Sequence, residues 1–236
     1  MRSEPVSVHH VETGALQIAP AKINKITAVD VASLNCQAPD ASELVFRLRD
    51  LILGGLFALL LAPLLAVIAI LIKAGSPGPV IFRQHRGGRD GRSFVCYKFR
   101  TMTVLEDGDH VTAATQNDHR VTRVGRFLRR YSLDELPQLF NVLKGDMALV
   151  GPRPHALAHD RRYSKRMPIY YRRQAVKPGM TGLAQVLDLR GEVDCETKII
   201  GRIAADISYI ERRSIFLDFV ILAMTPLMLI FCRSAC

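Results

Sequence analysis

Two long apolar segments stand out along an otherwise polar chain. The first runs from Leu51 to Ile72 without a charged residue, and as a helix it would be about 33 Å long, enough for the ~30 Å hydrocarbon core of a bilayer. The second, residues 214–232, is also apolar but contains Asp218 and Pro226. Because an uncompensated carboxylate near mid-bilayer is costly, we expect the second segment to form an interfacial or core-packed helix.

The first apolar segment carries two signals about its path. Pro63 lies in its middle and removes a backbone donor, which predicts a kink. Basic residues flank both ends, so the positive-inside rule gives no direction. A re-entrant membrane helix at about residues 47–73, bending at Pro63 and leaving on the face where it entered, satisfies both signals. A single-span anchor remains the alternative.

The intervening chain predicts short strands and amphipathic helices. The runs "VIFRQ" and "SFVCYKF" flank a glycine-rich turn, which is typical of a β-hairpin. In "HRVTRVGRFLRRYS", arginines recur every third residue beside an apolar stripe, which predicts a helix. Its basic face is either solvated or a clamp for a phosphate or a lipid headgroup. We therefore expect an α+β protein, mostly helical, with a short β-hairpin and interfacial amphipathic helices.

Composition narrows the choice of partners. The chain has 236 residues and a net charge of +10, which predicts an anionic partner. Five cysteines without a CxxC pair argue against a disulfide framework or a zinc site. Residues 155–176 mix tyrosines with basic residues, but no nucleic-acid motif accompanies them, so we expect membrane lipids and no nucleic acid. Residues 1–45 lack a sustained period and predict an N-terminal arm before one domain at 46–236.

Two adjacent acids, Asp134 and Glu135, follow the basic run "RFLRR". Ser132 and Glu135 fit a helix-capping box, although Pro137 fits such a helix poorly and the arginines stay unexplained. The chemical alternative is a carboxylate that attacks a phosphorus centre and forms an acyl phosphate. Mg²⁺ held by carboxylates and phosphate oxygens, together with arginines, would neutralise an anionic diphosphate substrate.

Three runs in one colinear order carry a family resemblance: "YKFRTM", "SLDELPQLFNVLKGDMALVGPRP" and "KPGMTGLAQV". Over residues 46–231 the chain resembles the bacterial sugar transferases, which are monotopic phosphoglycosyl transferases. The resemblance implies transfer of a sugar-1-phosphate from a UDP-sugar to undecaprenyl phosphate with release of UMP. This is the first membrane step of exopolysaccharide or glycoconjugate assembly, at the cytoplasmic face of the bacterial inner membrane. "RPHALAH" favours glucose or galactose, and a homodimer stays open.

The same resemblance assigns roles to residues. Asp134 is the expected nucleophile, forming a phosphosugar-aspartate, and Glu135 together with Asp134 is expected to hold Mg²⁺. The expected substrate-binding residues are Arg129, Arg153 with its neighbours Pro152 and Pro154, and Lys98 and Arg100 from "KFRTM". Arg47, Asp50 and Pro63 match the re-entrant segment. Leu183 stands where the family often has Trp, which affects the expected donor or lipid contacts.

Two other functions compete with this interpretation. Asp107 and Asp109 form a DxD pattern, which binds a metal-nucleotide in many glycosyltransferases but also occurs in ordinary turns. An enzyme of that type would release UDP. A membrane-anchored basic scaffold without catalysis would bind headgroups or nucleic acid in a salt-sensitive way and would tolerate Asp134→Asn.

Overall fold

The computed structural model describes residues 41–103, 118–189 and 196–231. The helices are α1 (Ala41–Gly75), α2 (Arg123–Arg130), α3 (Gln138–Lys144), α4 (Leu157–Arg166), α5 (Leu183–Val186), α6 (Glu196–Glu211) and α7 (Ile215–Phe231). The strands are β1 (Ile81–Gly87), β2 (Ser93–Phe99), β3 (Ala148–Val150) and β4 (Gly179–Thr181). The fold is therefore mostly helical with little sheet, as expected. Residues 41–45 of the predicted arm form the start of α1, and the remainder of that arm lies outside the described residues.

Helix α1 is long and apolar enough to cross a membrane, and it also takes part in two hydrophobic clusters. Residues before Pro63, among them Phe57 and Leu61, pack on a cluster that contains Val142. Residues after Pro63, among them Ile68, pack on a second cluster formed with the hairpin and α2. Both halves of α1 therefore lie against one protein body. The side of α1 away from that body exposes a row of large apolar side chains: Leu48, Ile52, Leu56, Leu59, Leu60, Val67, Ile70 and Leu71.

The strands form two small two-stranded sheets. β1 and β2 pair antiparallel, with Ile81 opposite Phe99, so the predicted hairpin is present. β3 and β4 pair parallel, a contact that the sequence pattern did not predict. A side chain on Gly179 would collide with the backbone of Gly151, so glycine is required for these segments to approach. This pairing places the Pro-Arg-Pro element directly beside β4.

Two arginines tie the ends of α1 to the rest of the protein. Arg47 donates hydrogen bonds of 2.6 Å to the carbonyls of Val142 and Leu143 in the last turn of α3. At the other end, Arg100 donates to the carbonyls of Ser76 and Pro77 just after α1. Each arginine thus binds carbonyls at or just beyond a helix end and joins the apolar helix to the polar body.

A buried charge cluster joins α1 to α7. Arg49 donates to Asp50 at 2.7 Å and also to Asp218, whose side chain is fully buried. The Tyr209 hydroxyl donates to Asp218 at 2.8 Å, and the backbone N–H of Leu149 donates to Asp50 at 3.2 Å. As its acid led us to expect, α7 packs on the core around Asp218.

Candidate functional site

The acidic pair lies in a tight turn between α2 and α3. Ser132 adopts a left-handed conformation with φ 53°, and a single 3₁₀ turn, Leu133–Glu135, follows it. The Ser132 side chain makes no capping hydrogen bond, and α3 begins only at Gln138, directly after Pro137. The capping-box alternative is therefore wrong, and Pro137 does not lie inside a helix that starts at Ser132, consistent with its poor fit there. The turn leaves both carboxylates outside any helical capping role.

Glu135 is held by two cations. Its side chain accepts a hydrogen bond of 2.6 Å from Lys98 Nζ and one of 2.7 Å from Arg153, whose second terminal nitrogen contacts the other carboxylate oxygen. Burial alone would raise the pKa of Glu135, but the charges and hydrogen bonds of Arg153 and Lys98 hold that pKa well below its usual value. Glu135 is therefore a fixed anion with both oxygens engaged.

Asp134 has different surroundings. Among the residues that the structure describes, none donates a hydrogen bond to its carboxylate. Burial and the neighbouring charge of Glu135 raise the pKa of Asp134, while Lys98, Arg129 and Arg153 oppose that rise. Asp134 is thus a carboxylate inside a ring of positive charge whose oxygens remain open to an incoming group.

The predicted substrate residues divide into two groups. The first, Lys98, Arg129 and Arg153, surrounds the acidic pair, and Arg129 reaches inward to 3.6 Å from Met102 Sδ. The second lies at the ends of α1: Arg100 is engaged there with backbone carbonyls, as Arg47 and Asp50 are with their own partners.

The Pro-Arg-Pro element is fixed on both sides of its arginine. The carbonyl of Pro152 accepts from the backbone N–H of Gly179 at 2.9 Å, and the carbonyl of Pro154 accepts from Arg86 at 2.6 Å. Arg173 donates to the carbonyl of Arg153 at 2.7 Å. The backbone that presents Arg153 to Glu135 is therefore held by three separate contacts.

Asn141 supports the site and was not predicted from the sequence. It is fully buried in α3, donates to the carbonyl of Val95 at 2.7 Å and accepts from the N–H of Tyr97 at 2.9 Å. The side-chain amide thus forms the hydrogen bonds that a neighbouring strand would otherwise make with this edge of β2, next to Lys98. The helix after the acidic pair is thereby locked to the strand that carries a cation for that pair. The signal in the sequence was an asparagine inside an otherwise apolar stretch.

A second unpredicted support lies behind Arg153. Arg173 donates to Asp206 at 2.7 Å and to Nδ1 of His155 at 2.8 Å, and His155 also contacts the hydroxyl of Tyr170 at 2.7 Å. Burial and the charge of Arg173 lower the pKa of His155 well below its usual value. A neutral His155 accepts at Nδ1, so this buried network positions Arg173 for its contact with the Arg153 carbonyl.

The expected Mg²⁺ finds a partial fit here. No group of three His, Cys, Asp or Glu side chains suited to a metal occurs in the described part of the chain. Mg²⁺ is usually held by one or two carboxylates together with substrate phosphates, and the open oxygens of Asp134 suit that mode. Glu135 already accepts three hydrogen bonds from Lys98 and Arg153, so only one of its roughly four lone-pair positions, on Oε2, is left for a metal.

Two remaining sequence observations have simple outcomes. Leu183 begins α5 and packs, partly buried, against the cluster that contains Val150, so leucine at this position serves the core. The DxD pattern of Asp107 and Asp109 lies outside the described residues.

The structure thus joins a helix long and apolar enough to cross a membrane to a polar body that holds an acidic pair ringed by cations in a tight turn. The model of the bacterial sugar transferase family matches residues 41–232 of the chain. The chain therefore belongs to the bacterial sugar transferase family, as its motifs led us to expect.

Several relatives share much of the chain. A UDP-glucose:undecaprenyl-phosphate glucose-1-phosphate transferase of Klebsiella pneumoniae is 48% identical over 209 residues, which cover 88% of this chain and 45% of that protein. A protein of the same name from Caulobacter vibrioides is 52% identical over 185 residues, covering 78% and 69%. The exopolysaccharide production protein PSS of Rhizobium leguminosarum is 47% identical, covering 76% and 92%. The aligned part of this chain thus spans less than half of the Klebsiella relative.

Proposed function

We propose that the protein transfers a sugar-1-phosphate from a UDP-sugar to undecaprenyl phosphate and releases UMP. The observation that carries the proposal is a difference between the two acids. Glu135 accepts hydrogen bonds from Lys98 and Arg153, whereas the Asp134 carboxylate accepts none from a described residue. Asp134, which has no hydrogen-bond donor in the described part of the chain, is suited to act as the nucleophile. Glu135, which is held in place, is suited to position the cations around it. Family membership and the names of the relatives support the same reaction.

The proposed chemistry has two steps at one phosphorus atom. An oxygen of Asp134 attacks the sugar-bearing phosphorus of the donor, the bond to the bridging oxygen breaks, and UMP leaves with that oxygen. A phosphate oxygen of the acceptor then attacks the same phosphorus and frees the Asp134 carboxylate. Arg129 and Arg153 stabilise the charge on the phosphoryl oxygens. Bound Mg²⁺, held by Asp134 and substrate oxygens with Glu135 as the candidate second ligand, would neutralise diphosphate charge.

Glucose is the donor sugar that we place first. The Klebsiella and Caulobacter relatives are named for UDP-glucose. The resemblance of "RPHALAH" to family members that transfer glucose or galactose phosphate made either sugar the sequence-based expectation, so UDP-galactose is the second donor. The product would begin an exopolysaccharide or another glycoconjugate, consistent with the name of the Rhizobium relative.

The membrane arrangement is part of the proposal. We infer a monotopic protein of the inner membrane, with α1 re-entrant and residues 46–236 forming one domain at the cytoplasmic face. Arg47 near the start of α1 binds the polar body, and Arg100 of that body binds the chain just after α1, which supports placing both ends on one side. In a cysteine-accessibility map of residues 45–80, both ends should label from the cytoplasm. Labelling of a cysteine at Lys73 from outside would leave a single-span anchor instead.

The reaction is tested by measuring UMP. Purified protein in detergent receives Mg²⁺, undecaprenyl phosphate and a panel of UDP-sugars, with Asp134→Asn as the test variant. Asp90→Asn is the matched control, because Asp90 is an exposed acid at the hairpin turn. We expect UMP from one donor, none with Asp134→Asn, and normal release with Asp90→Asn. Release of UDP would instead indicate a DxD-type transferase, and equal lipid binding without any nucleotide product would indicate a scaffold.

A further inference from the structure

Helix α2 presents an exposed face that the proposed chemistry leaves unused. This arginine-aromatic face consists of Arg123, Arg126, Phe127, Arg130 and Tyr131, all exposed. Their spacing of three and four residues puts them on one side of the helix. Gly125 and Leu128 are buried on the other side, and Arg129 turns toward the acidic pair. The inner side of this short helix therefore packs on the core and directs Arg129 toward Asp134. Its outer side exposes arginines and aromatic rings.

The face has the chemistry of a site for an amphipathic anion. Phe127 is 57% exposed, and its ring centroid lies 5.1 Å from that of Tyr131. The Arg130 guanidinium lies 5.7 Å from the centre of the Tyr131 ring. Within the described residues, Arg123, Arg126 and Arg130 form no ion pair with an acid. Unpaired guanidinium groups bind phosphate well, and exposed aromatic rings suit the boundary between water and lipid.

The position of the face connects the apolar helix to the nucleophile. Leu128 on the inner side of α2 packs with Ile68 and Ile72 from the second half of α1. Tyr131 precedes Asp134 by three residues, so their Cα atoms are at most about 11 Å apart. A molecule on this face would therefore lie on a helix that packs on the second half of α1 and that leads directly into the turn carrying Asp134.

We propose that the arginine-aromatic face binds the polyprenyl-phosphate acceptor. The acceptor phosphate lies on Arg126 and Arg130, and the first isoprene units lie on Phe127 and Tyr131, with the remaining chain in lipid along α1. This inference rests on the proposed function, because it assigns a place to the second substrate of that reaction. It separates the two anionic substrates: the acceptor approaches from the outer face of α2, while Lys98 and Arg153 lie on the Glu135 side.

The test measures the two half-reactions separately. Full-length protein in nanodiscs of neutral lipid is given UDP-glucose without acceptor, and the burst of UMP per protein reports the first step. The apparent KM for undecaprenyl phosphate then reports the second. The variants are Phe127→Ala/Tyr131→Ala and Arg126→Gln/Arg130→Gln. The matched control is Phe140→Ala, because Phe140 is 53% exposed on the neighbouring helix α3.

We expect both double variants to raise the KM for the acceptor by roughly tenfold, which equals about 1.4 kcal/mol, while the UMP burst persists. Phe140→Ala should keep the wild-type KM. The conservative pair Phe127→Leu/Tyr131→Phe should recover most of the acceptor affinity, which a misfolded protein would not do.

Each other result overturns something specific. If wild-type protein gives no UMP burst with any UDP-sugar, the proposed function itself fails. If the wild type gives the burst but neither double variant changes the acceptor KM, the inference alone fails. It also fails if the Phe140→Ala control raises the KM equally, since the effect would then be general lipid contact. Loss of the burst in the double variants would assign α2 to the donor step and would likewise reject the acceptor site.

Discussion

Removing the Arg49 guanidinium should destabilise the protein far more than removing a surface arginine. Arg49 is the cation of a buried cluster in which Asp50 accepts at 2.7 Å and Asp218 accepts from the opposite side. Arg49→Met keeps the length and apolar stem of the side chain but leaves two buried carboxylates without the cation that is hydrogen-bonded to both. The Tyr209 hydroxyl, 2.8 Å from Asp218, is neutral and cannot replace the lost charge.

The expected size of the effect follows from this geometry. Removing one partner of a buried ion pair costs about 3–5 kcal/mol in the free energy of unfolding. For a protein of this size, 1 kcal/mol shifts the melting temperature by about 2–4 °C, so we expect a fall of roughly 6–20 °C. The assay is thermal unfolding of purified protein in detergent near neutral pH. The matched control is Arg172→Met, because Arg172 pairs with Glu211 at 3.0 Å on the surface.

The control pair sets the threshold for refutation. An exposed ion pair is worth about 0–1 kcal/mol, so Arg172→Met should lower the melting temperature by no more than ~4 °C. If Arg49→Met lowers it no further than the control does, the buried cluster is not a charge-balanced unit. Adding Asp218→Asn to Arg49→Met should recover part of the loss, because one of the two unpaired charges is then removed.

Three further outcomes are expected. Asn141→Leu should lower the free energy of unfolding by roughly 2–6 kcal/mol, since it orphans one backbone N–H and one carbonyl of β2; a melting temperature equal to that of Phe140→Leu would contradict this. Because burial and Glu135 raise the pKa of Asp134, kcat/KM should fall with decreasing pH through an acid limb above the usual aspartate pKa of about 3.9, and a limb at or below that value would reject Asp134 as the titrating group. The pKa of His155 is lowered in the folded protein, so the unfolded chain binds that proton first and stability should decrease as pH falls below about 6.5. In melting temperatures from pH 7.5 to 5, His155→Gln should weaken this decrease, and an unchanged slope would exclude His155 as its source.

Local patterns in the sequence predicted several elements correctly. Two strand-like runs around a glycine-rich turn predicted the β1–β2 hairpin, and arginines at every third position beside an apolar stripe predicted α2. Pro137 indicated that no regular helix runs through it from Ser132, and α3 begins directly after this proline. A proline disrupts a helix interior but is tolerated at its beginning. These features depend on neighbours along the chain, and for that reason a single sequence was enough.

Features that depend on distant partners were missed. The contact of Arg173 with Asp206 crosses 33 positions and that of Asn141 with Val95 crosses 46, and no local period encodes either. β3 and β4 contain only three residues each, too few for alternation to be recognised. Arg100 was assigned to the substrate site because it lies in the same motif as Lys98, and that role stays a prediction. The structure shows that the Arg100 guanidinium donates hydrogen bonds to the carbonyls of Ser76 and Pro77, just after α1. Nothing in the sequence indicated these partners.

The contribution of α1 to both hydrophobic clusters has a consequence for the order in which the protein folds during synthesis. α1 supplies Phe57 and Leu61 to one cluster and Ile68 and Ile72 to the other, and it leaves the ribosome before the other described members of both. Its opposite side, with Leu59 75% exposed, has no protein cover among the described residues. During translation α1 can therefore insert into the bilayer first. The later segments can then pack against its inner side, which is already in place. Synthesis without membranes would leave α1 uncovered while the cores assemble, so yield should depend on lipid supplied during translation.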